Sequence, residues 1–227
     1  MTTKEKNEFI LAALRVNARF ERNYSTVIQA LLTNRLSSLI SDIHKRGLSA
    51  AMADLGVMIL IPGLEERLMR MLRDVASYHA RVNYRFIRRD IAQKGFGVNE
   101  EWLNEVIKLL RRDLLQYSVI KVTDTFKEYL LGRYEQAIKD GLGEEDFIKL
   151  LREEMPDLIY SQVQRIVRTE VNRTTNAARK VVAESFDFEM VKEWVSARDF
   201  RTRGRNPKDK ADHYHMNGQT VGLQEMF

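Results

Sequence analysis

From Lys4 to Arg46 the chain contains neither glycine nor proline. A stretch this long without a helix breaker is free to form regular helix throughout. Within it Phe9, Ala13, Val16, Phe20, Tyr24, Val27 and Leu31 recur every three or four residues, which is the spacing of one helical face. The stripe continues through Leu32, Leu36, Leu39 and Ile43, with a shift of phase near Leu31. A helix of about 40 residues is about 60 Å long, more than an ordinary domain is wide. Ordinary helix lengths therefore favour two antiparallel core helices that break at the phase shift. The alternative is one continuous helix that reaches beyond its own core to pack on a partner. Thr2 and Glu5 have the spacing of a capping box for the amino end.

The same breaker-poor texture persists. There are 3 prolines in 227 residues and no cysteine, so a disulfide framework, a thiol nucleophile and thiolate metal sites are excluded within this span. The amino terminus lacks the apolar stretch of a secretory signal, and the run Leu55–Pro62 is too short to span a bilayer as a helix. The expectation is a soluble, mainly helical protein made inside a cell, with Gly47–Gly63 as a buried connection. A helix is expected over about 64–93, with Leu64, Leu68, Met71, Val75, His79, Val82 and Phe86 on one stripe. His79 on that stripe is most simply a hydrogen-bonded core histidine, with no second metal ligand at helical spacing. Arg81, Arg85, Arg88, Arg89 and Lys94 against Asp90 give one face a surplus of +4, open to solvation, pairing or phosphate contact. Gly95–Asn99 reads as a loop with Asn99 as N-cap. Trp102, Val106, Leu110, Leu114 and Tyr117 form the next stripe, and Phe126, Leu130, Tyr134 and Ile138 resume it beyond the β-branched stretch Val119–Thr123.

Beyond Gly141 the pattern changes. Glu144 to Glu154 reads as a short helix, and Pro156 opens a second helix running to about Ser185. Val191–Ser196 alternates with period two and reads as a strand. Arg198, Arg201, Arg203, Arg205, Lys208 and Lys210 stand among Asp199, Asp209 and Asp212, six positive charges against three. In an extended segment Asp199, Arg201 and Arg203 share one side. Glu170 can receive one of these arginines as a bidentate pair, and Arg168 can reach Asp199. The motif then acts as a charged clasp between helix and small sheet, with Trp194 over the junction. His213 and His215 share a face if they lie in a strand, but two ligands do not make a metal site without a third from Asp199 or Glu170. Gly218 fits a tight turn between short strands.

Taken in order, Arg168-Thr169-Glu170, Asn172, Asn176, Trp194, Asp199, Arg201-Thr202-Arg203, His213 and Asn217-Gly218-Gln-Thr-Val221 resemble the carboxy-terminal domain of phage minor head proteins of the Mu F-type head morphogenesis family. The resemblance runs from about residue 135 to the end. Together with the helical stripes this gives a mainly α fold, with an extended helical amino-terminal region (1–134) that the resemblance makes an adaptor and a small α+β carboxy-terminal domain (135–227). The family domain usually continues past Phe227 and often ends in a cysteine-bearing segment, so this one is read as truncated or processed there. By the same resemblance the protein is a minor capsid protein inside the head, bound to the portal in several copies, assisting assembly and DNA packaging or ejection. The major capsid or scaffold protein is a further candidate partner. Double-stranded DNA is bound without sequence specificity, with Arg201, Arg203, Arg205, Lys208 and Lys210 as candidate contacts. Neither catalytic residues, metal nor cofactor is expected, and no membrane span. The competing reading is a nuclease- or transferase-like enzyme built on Glu170, Asp199 and His213, which requires those side chains to converge on an open cleft.

Overall fold

A computed structural model of the chain describes residues 3–57, 60–90, 100–113, 118–186, 189–196, 202–206 and 208–225. The expected Thr2 cap, the 95–99 loop with Asn99, Lys94, Leu114, Tyr117, Arg198, Asp199, Arg201 and Phe227 lie outside the described residues, as do the side chains of Arg88 and Arg89. Among the described residues six helices and two short strands follow in chain order: α1 Thr3–Arg46, α2 Leu48–Val57, α3 Leu64–Asp90, α4 Glu100–Asp113, α5 Lys121–Lys139, α6 Glu144–Glu184, β1 Val191–Glu193 and β2 Thr220–Gly222. The protein is mainly α with a small two-stranded sheet near its carboxy end, as the sequence implies.

α1 does not break at Leu31. It is one helix of 44 residues, about 66 Å long. The residues it buries explain why. Ala13, Asn17, Ser25, Ile28, Leu32, Leu36, Leu39 and Ile43 form one ridge spaced by threes, fours and their sums. Two positions on that ridge are polar, so an apolar count follows the neighbouring Val16, Phe20, Tyr24 and Val27 instead and registers a false change of phase. α1 ends where Gly47 takes φ +85°, with its N–H on the Ile43 carbonyl at 2.8 Å. The connection that follows is itself helical: α2 buries Ala51, Met52 and Leu55. The Tyr24 hydroxyl donates to Asp74 and fastens α1 to α3.

α6 also runs through an expected break. Pro156 sits inside a helix of 41 residues rather than opening one. Its ring removes the N–H that would meet the Arg152 carbonyl, but Arg152 and Pro156 are both exposed, so water can serve that carbonyl. On the opposite face Leu151, Met155, Ile159, Val163, Val167, Val171, Ala178 and Val182 are buried without interruption. A ridge that long holds the helix together across one missing hydrogen bond. α6 packs on α1, α3 and α4, and more lightly on α5. Its buried residues belong to the same apolar cluster as Leu32 and Leu36 of α1 and Leu68, Met71 and Val75 of α3. A π-helical turn at residues 118–120 precedes α5, where Thr123 Oγ1 accepts the Ile61 N–H at 3.2 Å.

β1 and β2 pair antiparallel with Val191 opposite Gly222, Lys192 opposite Val221 and Glu193 opposite Thr220. Gln224 Nε2 donates to Glu184 Oε1 at 2.6 Å, which ties this hairpin to the end of α6. Among the described residues no helix is long and apolar enough to cross a membrane.

The continuity of α6 has a direct test. Pro156→Ala restores the missing hydrogen bond at an exposed position and should raise stability by about 1–3 kcal/mol, read as a higher calorimetric melting temperature. If a new helix began at Pro156, its ring would be well placed and the same change would lower the melting temperature.

Candidate functional site

The sequence motif Arg168-Thr169-Glu170 occupies successive positions of α6, which turn by about 100° per residue and so meet three different surroundings. Glu170 points inward and is 1% exposed. Ser118 Oγ donates to its Oε1 at 2.6 Å, and Arg173 Nη1 lies 3.7 Å from the same oxygen. Glu170 Oε2 is buried with no hydrogen-bond partner among the described residues. Arg168 turns the other way and donates from Nε to Glu21 Oε2 of α1 at 3.3 Å. Thr169 faces solvent and returns its hydroxyl to the Arg165 carbonyl at 2.9 Å. The described partners of the motif thus come from the helical body: α1 for Arg168, and the turn before α5 for Glu170. The arginine and aspartate of the expected clasp, Arg201 and Asp199, lie outside the described residues, and Arg203 is an exposed turn residue.

On the α1 side of α6 the core is polar. Asn17 Oδ1 accepts from Thr175 Oγ1 at 3.2 Å and lies 2.7 Å from His79 Nε2, while Asn17 Nδ2 donates to Asn172 Oδ1 at 3.3 Å. This network joins α1, α3 and α6 at one point. His79 is a hydrogen-bonded core histidine, as its place on the stripe suggests. Burial, and secondarily the nearby Arg179 charge, push its pKa down to about 4. Arg179 is itself held below the usual arginine range by burial. Its guanidinium lies over the Phe9 ring at 5.6 Å, and Phe9 stacks on Phe86 at 4.1 Å. Asn176 is exposed.

The remaining motif residues shape the carboxy-terminal hairpin. Trp194 N–H donates to the Gln219 carbonyl and its own carbonyl accepts from Gly218 N–H, both at 2.9 Å. Gly218 makes that turn with φ +88°. Asn217 Oδ1 accepts the Ser196 N–H at 2.9 Å. The His213 ring packs edge-on against Trp194, with centroids 5.1 Å apart. His213 and His215 stand in a turn rather than a strand, and they engage different partners. His215 lies with Nδ1 2.7 Å from Asp212 Oδ1, and its backbone N–H and imidazole together hold Asp212 below the usual carboxylate range. Among the described residues no group of three or more His, Asp or Glu side chains stands within reach of one metal ion.

The basic loop between the strands is organised by two aspartates. Asp209 Oδ2 accepts the N–H groups of Gly204 at 2.8 Å and Asn206 at 3.2 Å, and Tyr214 N–H donates to the Arg203 carbonyl at 2.9 Å. Gly204 has φ +95°, and a Cβ there would stand 2.8 Å from the Asp212 Cα. This leaves Arg203, Arg205, Lys208 and Lys210 exposed on a folded turn, with Arg205 over the Tyr214 ring at 5.5 Å. Sequence reasoning singled out the arginines and Trp194. It missed Ser118, Glu21, Asn17 and Thr175, each of which lies 50 or more residues away from its partner or reads as an ordinary helix residue. Asn17 was the detectable case, because it breaks an otherwise apolar ridge.

Two of the three enzymatic candidates can be placed. Glu170 is closed inside the helical body between Ser118 and Arg173, whereas His213 lies on the hairpin turn against Trp194. Asp199 lies outside the described residues.

The comparisons agree with the residue pattern. The family model described as Phage Mu protein F like protein matches residues 129–227, from within α5 through the hairpin. This carboxy-terminal region, less than half of the chain, is therefore similar to that family, as the residue pattern implies. No curated protein and no solved structure matches the chain.

The buried network predicts a pH dependence of known sign. His79 has a folded pKa of about 4 against 6.5 for the free side chain, so unfolding takes up a proton between those values. Its contribution is fully present above about pH 6.5 and is lost as pH falls towards 4, by up to about 3 kcal/mol. Urea melts at pH 7, 6, 5 and 4.5 should show this loss. His79→Gln, which cannot titrate, should flatten the curve in that window, and an unchanged slope would remove His79 as its source.

Proposed function

We propose that this protein is a minor capsid protein that works inside the phage head against the portal, assisting head assembly and the packaging or delivery of DNA. The observation that carries the reading is the Mu F-like match over residues 129–227, which indicates a head morphogenesis protein. Two features of the fold support the finer assignment. The amino-terminal helix is about 66 Å long. Its outer face leaves Leu11 and Leu14, one turn apart, about half exposed, as suits a rod with a further surface to lie on. The hairpin loop presents Arg203, Arg205, Lys208 and Lys210 to solvent, with Arg201 as the further candidate from the sequence. Contacts of this kind to phosphate are independent of base sequence and fall with salt.

On this reading the partners are the portal protein, in several copies around its ring, and double-stranded DNA, with the major capsid or scaffold protein as a second protein contact. The place of action is the virion interior near the portal, after assembly in the host cytoplasm. The enzymatic reading draws no support from the placement of Glu170, because that carboxylate is buried in the helical body rather than at an open cleft.

Two measurements test the proposal. Purified protein should be retained by immobilised portal rings and should bind duplex DNA with an affinity that falls linearly in log–log form with salt. Replacing Arg203, Arg205, Lys208 and Lys210 by glutamine should reduce that slope by up to about 4, at about 0.9 for each phosphate no longer neutralised. Failure to bind either portal or DNA would overturn the assignment.

A further inference from the structure

α6 carries a second set of cations that the hairpin loop does not use. From Leu158 to Ala183 its sequence holds five basic residues and a single acid, Glu170. Glu170 is buried, so the helix shows solvent no negative charge of its own over that interval. Two basic residues are engaged at the flank against α1: Arg168 with Glu21, and Arg179 beneath Phe9. The other three, Arg165, Arg173 and Lys180, stand at i, i+8 and i+15 and so fall on one stripe, with Thr169 and Asn176 between them at i+4 and i+11. Arg165, Thr169, Asn176 and Lys180 are exposed, and Arg173 is half-buried. Thr169 and Asn176 are the motif residues for which the helical core supplies no role.

The neighbours of this stripe complete the picture. On one side a cleft of about 280 Å³ separates it from the start of α5, and Lys121 stands on the opposite wall of that cleft. Arg173 reaches the cleft with Nη1 3.7 Å from Glu170, and Lys180 lies 3.5 Å from Glu184, an acid at the carboxy end of the helix. Arg165 and Lys121 have no carboxylate partner among the described residues. The spacing along the axis is about 12 Å from Arg165 to Arg173 and about 10 Å from Arg173 to Lys180. These intervals correspond to an axial rise of about three to four phosphates on one DNA strand, at about 3.4 Å each. A row of one sign about 22 Å long, with a neutral hydroxyl and a neutral amide between the charges, suits a regular polyanion better than the irregular charges of an acidic protein face.

We infer that the exposed stripe Arg165–Thr169–Arg173–Asn176–Lys180 of α6, with Lys121 across the cleft, is a second seat for the phosphate backbone of double-stranded DNA. This deepens the proposed function, and it rests on the part of that reading in which the protein meets DNA. Lys121, Arg165, Arg173 and Lys180 supply charge, and Asn176 supplies a hydrogen-bond donor. Buried Glu170 positions Arg173 at the cleft while lowering the pull of the cleft on an anion.

The test uses the full chain and a mixed-sequence DNA duplex of about 30 base pairs, long enough to cover the stripe, with affinity measured from 50 to 200 mM salt. Arg165→Gln/Arg173→Gln/Lys180→Gln should lower the log–log salt slope by about 3. The double change Arg165→Gln/Lys180→Gln touches only exposed side chains, keeps the Glu170 contact and should lower the slope by about 2. Glu170→Gln, which can still accept from Ser118, should strengthen binding in the same assay. A loss of slope that adds to that of the hairpin variant supports a separate seat. If the α6 variants keep the wild-type slope while the hairpin variant loses it, this inference falls and the DNA reading stands. If the wild-type protein binds no DNA at 50 mM salt, the DNA reading itself falls. If the α6 variants bind DNA normally but lose portal retention, the stripe is a protein contact and the inference is overturned.

Discussion

The structure depends on the inner ridge of α6. From Leu151 to Val182 this helix keeps one face buried over about nine turns, and it packs on α1, α3 and α4. Each fully buried aliphatic side chain on it contributes about 1.5–3 kcal/mol relative to exposure. That is why the helix tolerates a proline that would end it elsewhere. It is also why the two longest helices lie together: neither has the tertiary support to persist at that length alone. The polar point in the ridge, where Asn17, His79 and Thr175 meet, fixes how α1, α3 and α6 are aligned along one another. A purely apolar seam would permit sliding by a turn, whereas a mismatched Asn or His would leave buried polar atoms unpaired.

Much of this was legible. The absence of glycine and proline before Gly47 announced the first helix, the stripes of 64–86 and 102–110 announced α3 and α4, and the alternation at Val191–Ser196 announced β1. The errors share one cause, which is that local signals were overruled by distant packing. The phase shift at Leu31 arose because Asn17 and Ser25 occupy buried positions that an apolar count skips. Pro156 is a sound helix start by local chemistry, yet the ridge on both sides of it is continuous. α2 is hidden in a glycine-bounded stretch whose helix shows only through the burial of Ala51, Met52 and Leu55.

The pairings of the motif residues were not legible. Arg168, Thr169 and Glu170 are adjacent in sequence, so one expects them to serve one purpose. A helix sends them to three surroundings instead: α1, solvent and the interior. Their described partners, Glu21 and Ser118, lie 147 and 52 residues away and carry no local mark of pairing. In the hairpin motif Trp194 bonds with Gly218 and Gln219, and Ser196 with Asn217 21 residues away, between the two ends of the basic loop. The strand and the glycine turn carry local signals, whereas the bonds between them do not.

The burial of Glu170 links the fold to the charge pattern. This carboxyl group is taken out of water with the Ser118 hydroxyl on one oxygen and the Arg173 guanidinium 3.7 Å away, an arrangement that is costly to bury. Moved to the surface of α6, it would sit among Arg165, Arg173 and Lys180 and cancel a third of their charge. Held inside, it leaves the outer face of the helix positive over Leu158–Ala183 and draws the half-buried Arg173 inward by its guanidinium. The interior cost and the exterior field are therefore two results of one side-chain orientation. That orientation follows from the position of Glu170 on the buried ridge of α6, where its neighbours at i−3 and i+4 are Val167 and Thr174, both fully buried.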